Sequence, residues 1–249
     1  MKTRALLMAG VAAALLCGSA SADEMVKLLP GSPDEIAAFV AGPEDATARV
    51  LIVHDWFGLT PSTMDEAVWF SERGMRAVAI DLYSGRIAET HEEAEKLMNG
   101  LDPAAAARTI RSALEAIGAD EHPVTIIGYS MGGKIALEAQ IANQEMISGT
   151  ALVYGSGYEE IPDPALSGLE RPVLVATGSN DTGSLSALEA LQRRMIELGH
   201  PIESYVYPGV DHAYAQSLFN GGENYDLDAT MATRNVIEDF VLRIAGGAG

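Results

Sequence analysis

The sequence predicts an α/β domain built on a mostly parallel, doubly wound sheet with helices on both faces. Short apolar runs rich in β-branched residues alternate along the chain with longer segments of helical periodicity, and this alternation is typical of a parallel sheet. The runs are continuous rather than alternating polar and apolar, as in strands that are buried on both faces. The chain has 249 residues, 48% hydrophobic and 20% charged, so it can bury a sizeable core and has no signature of disorder.

The N-terminus has the pattern of a secretory leader. Two basic residues precede an apolar run from Ala5 to Leu16, and residues 20–22 (Ala-Ser-Ala) form an A-x-A cleavage site. The apolar run is too short to span a bilayer comfortably. We therefore expect a signal peptide at residues 1–22 and a single α/β domain over residues 23–249, periplasmic or secreted. An uncleaved anchor is the alternative.

The chain is strongly acidic, with 35 Asp and Glu residues against 16 Lys and Arg and a formal net charge of −19. A nucleic-acid-binding surface needs a basic face to neutralise phosphates, so we expect no nucleic-acid partner. An anionic membrane surface is disfavoured for the same reason, and we expect no stable membrane anchor once the leader is removed. The one cysteine, Cys17, lies in the leader. The exported form would therefore have no disulfide, no thiolate metal site and no cysteine nucleophile.

Local signals place each element along the chain. Residues 23–48 are polar and contain several Pro and Gly residues, so we expect an irregular or edge-strand segment there. Pro61 stands where prolines begin helices, Asn99 and Gly100 separate two helical segments, and Gly199 ends another. The apolar runs predict strands at 49–53, 76–80, 124–127, 150–154, 172–176 and 202–207, and the helical spacing predicts helices at 60–74, 89–98, 103–117, 134–142, 185–198 and 231–244.

The most informative segment is residues 128–132, Gly-Tyr-Ser-Met-Gly. A predicted strand leads into it and a predicted helix leads out, so a serine stands at the apex of a strand-turn-helix unit. This matches the G-x-S-x-G nucleophile elbow of α/β-hydrolases in residues and in context. Small residues on either side let strand and helix approach closely while the hydroxyl points out of the sheet. We predict an α/β-hydrolase fold with Ser130 as the nucleophile; an ordinary turn with a capping serine is the alternative.

A serine hydroxyl needs a base within hydrogen-bond reach, and that base is oriented by a third group. In α/β-hydrolases the order along the chain is serine, acid, histidine, which leaves His200 and His212 as candidates. His200 precedes the last predicted strand, whereas His212 follows the carboxyl end of that strand, where ligand chemistry in such a sheet belongs. Position therefore favours His212, with a surface-loop histidine as the alternative.

Asp181 is the predicted acid. It is the only carboxylate in the loop after the strand predicted at 172–176, and it would fix the imidazole tautomer and stabilise the imidazolium. An Asx-turn residue beside two glycines is the alternative. Asp211 is rejected, because a residue adjacent to His212 in the chain rarely reaches the Nδ1 atom of that ring.

An oxyanion hole requires two preorganised N–H donors. We expect one from the backbone of Met131, directly after the predicted nucleophile. The other should come from Trp56 or Phe57, in the loop after the first strong strand, with Trp56 preferred. The side chains of these two aromatic residues would line the pocket for the acyl or alcohol part, and plain core packing is the alternative.

Several segments together resemble the dienelactone hydrolase family. The resemblance covers most of the chain, from about Arg49 to the end, and implies an α/β-hydrolase fold, hydrolysis of an ester or lactone, a triad of Ser or Cys with His and Asp, and no metal or organic cofactor. It is carried by residues 54–59 (His-Asp-Trp-Phe-Gly-Leu), 81–86 (Asp-Leu-Tyr-Ser-Gly-Arg), 128–133 (Gly-Tyr-Ser-Met-Gly-Gly), 181 (Asp) and 211–214 (Asp-His-Ala-Tyr).

The chain departs from that family at three places. The family implies a Cys nucleophile where this chain has Ser130, and a Glu that holds the resting nucleophile where it has Asp55. The family also implies two arginines that bind a substrate carboxylate. Arg86 fits the first with a shift of one residue, and Gln216 stands at the second, four residues after the predicted catalytic histidine. Half of the carboxylate clamp is therefore missing.

These observations predict an exported esterase or lactonase that acts through an acyl-enzyme on a small-molecule ester or lactone. A non-catalytic binding protein with the same fold and a hydrolase of peptide or polymer substrates are the alternative hypotheses. No metal and no cofactor are predicted. Seven residues are predicted to line the substrate pocket: Asp55, Phe57, Tyr83, Arg86, Tyr129, Tyr214 and Gln216.

Overall fold

A computed structural model describes residues 23–33, 35–200, 202–217 and 223–247. The predicted leader at residues 1–22 lies outside the described residues. The strands of the described part are β1 (Glu24–Leu28), β2 (Ile36–Ala41), β3 (Arg49–Val53), β4 (Arg76–Ile80), β5 (Val124–Tyr129), β6 (Ile147–Val153), β7 (Val173–Gly178) and β8 (Glu203–Tyr207).

The helices connect these strands. In the described residues they are α1 (Pro61–Ser71), α2 (His91–Asn99), α3 (Pro103–Ala116), α4 (Met131–Ala142), α5 (Asp163–Leu166), α6 (Thr182–Glu197) and α7 (Leu227–Ala245), with a 3-10 turn at Tyr158–Glu160. No helix in this part of the chain combines the length and the apolar character that crossing a membrane requires.

One sheet runs through the described residues in the order β1-β2-β4-β3-β5-β6-β7-β8. Pairing is parallel from β4 through β3 to β8 and antiparallel where β2 meets β1 and β4. The predicted fold class, a mostly parallel α/β-hydrolase sheet covered on both faces, is confirmed.

The segment before residue 49 is more regular than the sequence predicts. It forms the two antiparallel strands β1 and β2, whereas we expected an irregular or edge-strand segment. The apolar run Ile36–Ala41 buries alternate side chains and pairs with β4. Strand β1 is largely exposed and closes that edge of the sheet, so its weak hydrophobic pattern gave little signal.

The core lies in two layers, one on each face of the sheet. In β3, Leu51 and Val53 belong to the layer that includes residues of α3, α4 and α6. Val50 and Ile52 belong to the opposite layer, with residues of α1 and α7. Because successive side chains of a strand point to opposite faces, a strand between two layers of helices must be apolar throughout, which explains the continuous runs in the sequence.

Helix α4 begins at Met131, three residues earlier than predicted, and β5 extends two residues further, to Tyr129. Strand and helix are therefore joined by Ser130 alone. The carboxyl ends of the parallel strands β3, β5, β7 and β8 meet at one edge of the sheet, and the loops that follow them carry the predicted site residues.

Candidate active site

Ser130 occupies a strained backbone conformation at the turn between β5 and α4, with φ of 51° and ψ of −116°. A non-glycine residue at positive φ costs free energy and is retained where the surrounding structure enforces it. Here the surrounding backbone is packed so closely that it holds the turn in this conformation. A Cβ added to Gly128 would lie 2.1 Å from the carbonyl oxygen of Gly132, and one added to Gly132 would lie 2.5 Å from that of His54. Glycine at both positions is what allows the turn.

The structure brings Ser130, His212 and Asp181 together from three separate loops. The Ser130 hydroxyl lies 3.0 Å from Nε2 of His212, and Nδ1 of the same ring lies 2.5 Å from Oδ2 of Asp181. These contacts fix a continuous line of polar atoms from hydroxyl to carboxylate. The imidazole and the ring of Tyr154 also form a T-shaped contact, with centroids 5.2 Å apart.

Asp181 plays two structural parts at once. Its Oδ1 accepts from the backbone N–H of Ser184 (3.0 Å) and so caps helix α6, while Oδ2 faces His212. The capping contact and the contact with His212, which the sequence presents as alternatives, are both made by this one side chain. Burial opposes ionisation, but the hydrogen bonds from His212 and Ser184 outweigh it and hold the pKa of Asp181 below its ordinary value.

The other histidine and aspartate considered from the sequence lie elsewhere. Nε2 of His200 lies 3.0 Å from the carbonyl oxygen of Ser167 and makes no described contact with Ser130. Asp211 is exposed, which agrees with its rejection as the acid.

Two backbone N–H groups in the predicted oxyanion hole have no internal acceptor. Among the hydrogen bonds of the described residues, those of Trp56 and Met131 have no protein acceptor. The N–H of Phe57 instead donates to Oδ1 of Asp55 at 2.8 Å. Of the two aromatic candidates, Trp56 is therefore the one whose N–H is available. The contact between Gly132 and the His54 carbonyl holds the start of α4 against this loop.

Asp55 and Gln216 form a buried pair beside His212. Gln216 Nε2 donates to Asp55 Oδ2, and both side chains are almost fully buried. Burial raises the pKa of Asp55 to about 7, although the Phe57 N–H, the charge of His212 and the Gln216 amide all favour the carboxylate. This carboxyl group therefore changes charge near neutral pH.

An open cleft lies over this pair and beside His212. The rings of Trp56, Phe57 and His91 form one wall, with centroids 5.4 to 5.6 Å apart. The described residues that line the cleft are Trp56, Phe57, His91, His212, Ala213, Gln216, Glu223 and Asn224.

Tyr83 and Arg86 lie at the edge of the predicted site. The Tyr83 hydroxyl donates to Sδ of Met131 at 3.2 Å, and its side chain is buried, so it supports the residue after Ser130 from below. Arg86 is exposed, and its Nε donates to the carbonyl oxygen of Tyr83 at 3.2 Å. Neither residue lines the cleft beside His212.

The hydroxyl groups of Tyr129 and Tyr214, two of the predicted substrate-binding residues, are bonded inside the protein. The Tyr129 hydroxyl donates to Oε2 of Glu66 at 2.9 Å, and the Tyr214 hydroxyl is hydrogen-bonded to Thr233 at 2.7 Å. Both side chains are buried. Helices α1 and α7 cover the sheet face on which these hydroxyls lie. A substrate-binding role for either residue stays a prediction.

Three contributors escaped the sequence reasoning. His91 joins the aromatic wall, and Asn224 donates its side-chain N–H to the carbonyl oxygen of His212 at 3.0 Å. Glu66 lies beneath Tyr129 and binds Arg234. None of them falls in a recognisable motif, and the contact between Glu66 and Arg234 spans 168 residues of sequence. Within the described ranges, no group of three or more His, Cys, Asp and Glu side chains has the arrangement of a metal site.

Comparison with known proteins gives consistent results. Residues 36–241 match the dienelactone hydrolase family. Carboxymethylenebutenolidase 1 of Cupriavidus pinatubonensis is 24% identical over 220 residues, which cover 82% of this chain and 90% of the relative. Among solved structures, the dienelactone hydrolase of Anabaena variabilis has a TM-score of 0.68 at 20% identity, covering 89% of this chain and 97% of that one. A dienelactone hydrolase-like promiscuous phosphotriesterase from metagenomic libraries has a TM-score of 0.77 at 18% identity, covering 90% and 99%.

At these identities the structural likeness establishes the fold. The family match spans more than half of the chain and supports the enzyme class predicted from the sequence, a carboxylic ester hydrolase of the dienelactone hydrolase type. Sequence motifs, sheet topology and the family match agree, and the chain belongs to the dienelactone hydrolase family.

Proposed function

We propose that this protein hydrolyses carboxylic esters or lactones through an acyl-enzyme, with Ser130 as nucleophile, His212 as general base and Asp181 as the group that orients the base. The observation that carries the proposal is the pair of contacts at 3.0 Å and 2.5 Å that link the three side chains. A neutral hydroxyl is a weak nucleophile, and a base in direct contact is the feature that activates it.

Each proton movement follows from the contacts. Ser130 Oγ attacks the carbonyl carbon while its proton passes to His212 Nε2. The tetrahedral intermediate collapses as the imidazolium gives that proton to the departing alkoxide, and water repeats the sequence on the acyl-enzyme to release the acid and regenerate Ser130. Asp181, whose pKa lies below its ordinary value, is ionised at neutral pH and stabilises the imidazolium.

The N–H groups of Met131 and Trp56 are the proposed oxyanion donors. Both lack a protein acceptor among the described hydrogen bonds, and the Met131 N–H also belongs to the first turn of α4, where N–H groups have no partner within the helix. Donors aimed at the developing oxyanion act at the transition state and each contribute about 10²–10³ in rate.

The substrate class is supported by the relatives. The Cupriavidus relative carries the name carboxymethylenebutenolidase, and the family is named for hydrolysis of a lactone. An acyclic ester or a lactone presents the same carbonyl to Ser130. A small-molecule ester or lactone is therefore the proposed substrate.

Replacing the nucleophile tests the mechanism. Ser130→Ala should reduce kcat for 4-nitrophenyl acetate by about four orders of magnitude or more with folding retained, because no other group supplies the nucleophile. Ser167→Ala removes an exposed hydroxyl bonded to the Pro164 carbonyl and serves as the matched control with full activity. Full turnover by Ser130→Ala would refute the mechanism.

Covalent labelling separates this proposal from a binding protein with the same fold. A fluorophosphonate probe should label the wild-type protein at Ser130 and should not label Ser130→Ala. Absence of labelling in folded wild-type protein would favour the binding protein. A panel of peptide and polymer substrates assayed beside short esters would reveal a preference for larger substrates.

We further propose that residues 1–22 direct export and are removed. The support is the basic start, apolar run and A-x-A site of the sequence. Mass analysis of the protein recovered from the periplasm or medium should give an N-terminus at Asp23. Recovery of full-length protein from the cytoplasm alone would contradict export.

A further inference from the structure

The structure assigns to Asp55 and Gln216 a role in substrate selection: we propose that this buried pair restricts the site to esters without a carboxylate group near the scissile bond. The inference rests on the proposed function, because it concerns which esters reach Ser130. It identifies the preferred substrate class as uncharged esters and lactones.

Within the described residues, the cleft beside His212 offers no permanently charged cation to an anionic substrate. Its described lining contains the carboxylate of Glu223 and no Lys or Arg. Residues 218–222, whose placement lies outside the described ranges, add no basic residue to the sequence of that loop. Arg86 is exposed and does not line this cleft.

Gln216 stands where the family resemblance implies a carboxylate-binding arginine, and its amide is already engaged. Its Nε2 donates to Oδ2 of Asp55, while Oδ1 of Asp55 accepts from the Phe57 N–H at 2.8 Å. An arginine at this position would neutralise Asp55 and leave further donors for a ligand. Glutamine supplies no charge, so the Asp55 carboxyl under the cleft is held by hydrogen bonds and has no Lys or Arg partner among the described ion pairs.

The groups that face Asp55 come from four loops or strands. They are its own neighbour Phe57, Tyr83 after β4, Tyr154 after β6, and His212 with Gln216 after β8. His212 is the one basic side chain among them. In the proposed mechanism His212 is neutral when substrate binds, so it does not offset the carboxylate at that moment. A substrate carboxylate would therefore meet repulsion together with the loss of its own hydration.

Charge discrimination gives a direct test. The ratio of kcat/KM for 4-nitrophenyl valerate to that for the mono-4-nitrophenyl ester of succinic acid compares a neutral with an anionic acyl group of similar length. Wild-type protein should favour the neutral ester at least about tenfold, because tenfold corresponds to about 1.4 kcal/mol, less than the repulsion of like charges a few ångströms apart at a partly buried site. The ratio is independent of the fraction of active protein.

Two variants change the charge beneath the cleft. Gln216→Arg should shift the ratio at least about tenfold towards the anionic ester, and Asp55→Asn should shift it in the same direction. Gln192→Arg, which adds the same charge on α6 where Gln192 bonds to Ser204, is the matched control and should leave the ratio unchanged. Because the readout is a ratio, partial loss of folded protein in either variant does not hide the effect.

The ratio should also depend on pH in wild-type protein. As the pH rises from 6 to 8, Asp55 becomes charged and preference for the neutral ester should grow, whereas the ratio for Asp55→Asn should stay flat. The succinate group is ionised throughout this range.

The outcomes separate this inference from the proposed function. Equal or faster hydrolysis of the anionic ester by wild-type protein, or an unchanged ratio in Gln216→Arg, would overturn the inference while leaving the triad intact. If neither ester is hydrolysed faster by wild-type protein than by Ser130→Ala, the proposed function itself fails.

Discussion

Replacing Glu66 with glutamine breaks a buried ion pair between α1 and α7. It should lower the free energy of unfolding far more than the loss of a more exposed ion pair between the same two regions. Glu66, on α1, accepts from the Tyr129 hydroxyl at 2.9 Å and from Arg234 of α7 at 2.9 to 3.2 Å. Its side chain is 4% exposed and that of Arg234 is 11% exposed. Burial alone would lower the pKa of Arg234, but Glu66 outweighs it and holds that pKa above its ordinary value.

The expected magnitude follows from these contacts. Removing one partner of a buried ion pair costs about 3–5 kcal/mol, because the other charge stays buried without compensation. Arg234 keeps one further carboxylate, Asp65 at 2.8 Å, whose side chain is 55% exposed. We therefore expect a loss near the lower end, about 3 kcal/mol, which corresponds to a fall in Tm of about 6–12 °C for a domain of this size.

The assay is urea unfolding at neutral pH, with Glu238→Gln as the matched control. Glu238 lies on α7 and binds Arg73, just beyond α1, at 3.1 Å, with both side chains 25–30% exposed. Such a pair contributes about 1 kcal/mol or less. If Glu66→Gln loses no more stability than Glu238→Gln, the argument from burial is wrong. The double variant Glu66→Gln with Arg234→Met should recover part of the loss, since no unpaired charge remains.

Three further predictions concern the site. Asp181→Asn should lower kcat by about 10³–10⁴-fold with little change in KM, because the amide cannot stabilise the imidazolium or hold its tautomer. A variant that keeps half of the wild-type rate in steady-state kinetics would contradict this prediction. Gly132→Ala should reduce both Tm and esterase rate well below those of Gly168→Ala. The new methyl group at residue 132 would lie 2.5 Å from the His54 carbonyl oxygen, whereas a Cβ at Gly168 would have its nearest atom at 3.6 Å. Equal effects of the two substitutions would show that the turn can relax. Burial raises the pKa of Asp55 from 3.8 to about 7, so the folded protein holds this proton more tightly than the unfolded chain, and the contribution of Asp55 to stability should fall as the pH rises from about 4 through about 7. Urea midpoints should show that fall in wild-type protein and a smaller one in Asp55→Asn, and identical profiles would argue against the shift.

The parallel part of the fold could be predicted from the sequence because burial on both faces leaves a plain signal. The runs at 49–53 and 76–80 coincide with β3 and β4. Strand β1 gave no such signal, since one side of it faces solvent. The start of α4 was placed too late because Gly132 and Gly133 disfavour helices locally. Gly132 is needed for close packing against the end of β3, and Gly133 for the close approach of Tyr158 and Gly155. The local sequence does not contain these tertiary contacts.

In the same way, some residues of the site could be predicted from the sequence and others could not. Ser130, His212 and Asp181 could be brought together from chain order and strand ends alone, although their catalytic roles remain predictions. The hydroxyls of Tyr129 and Tyr214 could not be placed, because a tyrosine beside a motif has the same sequence appearance whether it faces a ligand or the core. The Asp55 and Gln216 contact joins residues 161 positions apart, and no periodicity indicates such a pair.

The long separation between Ser130 and His212, 82 residues along the chain, affects when activity arises during synthesis and refolding. A nascent chain that has emerged as far as α6 already contains the elbow and Asp181 but lacks the imidazole. Under the proposed mechanism, ester hydrolysis begins only when the loop after β8 docks. Recovery of turnover after dilution from denaturant should therefore time that final docking step, while circular dichroism reports the earlier assembly of the sheet.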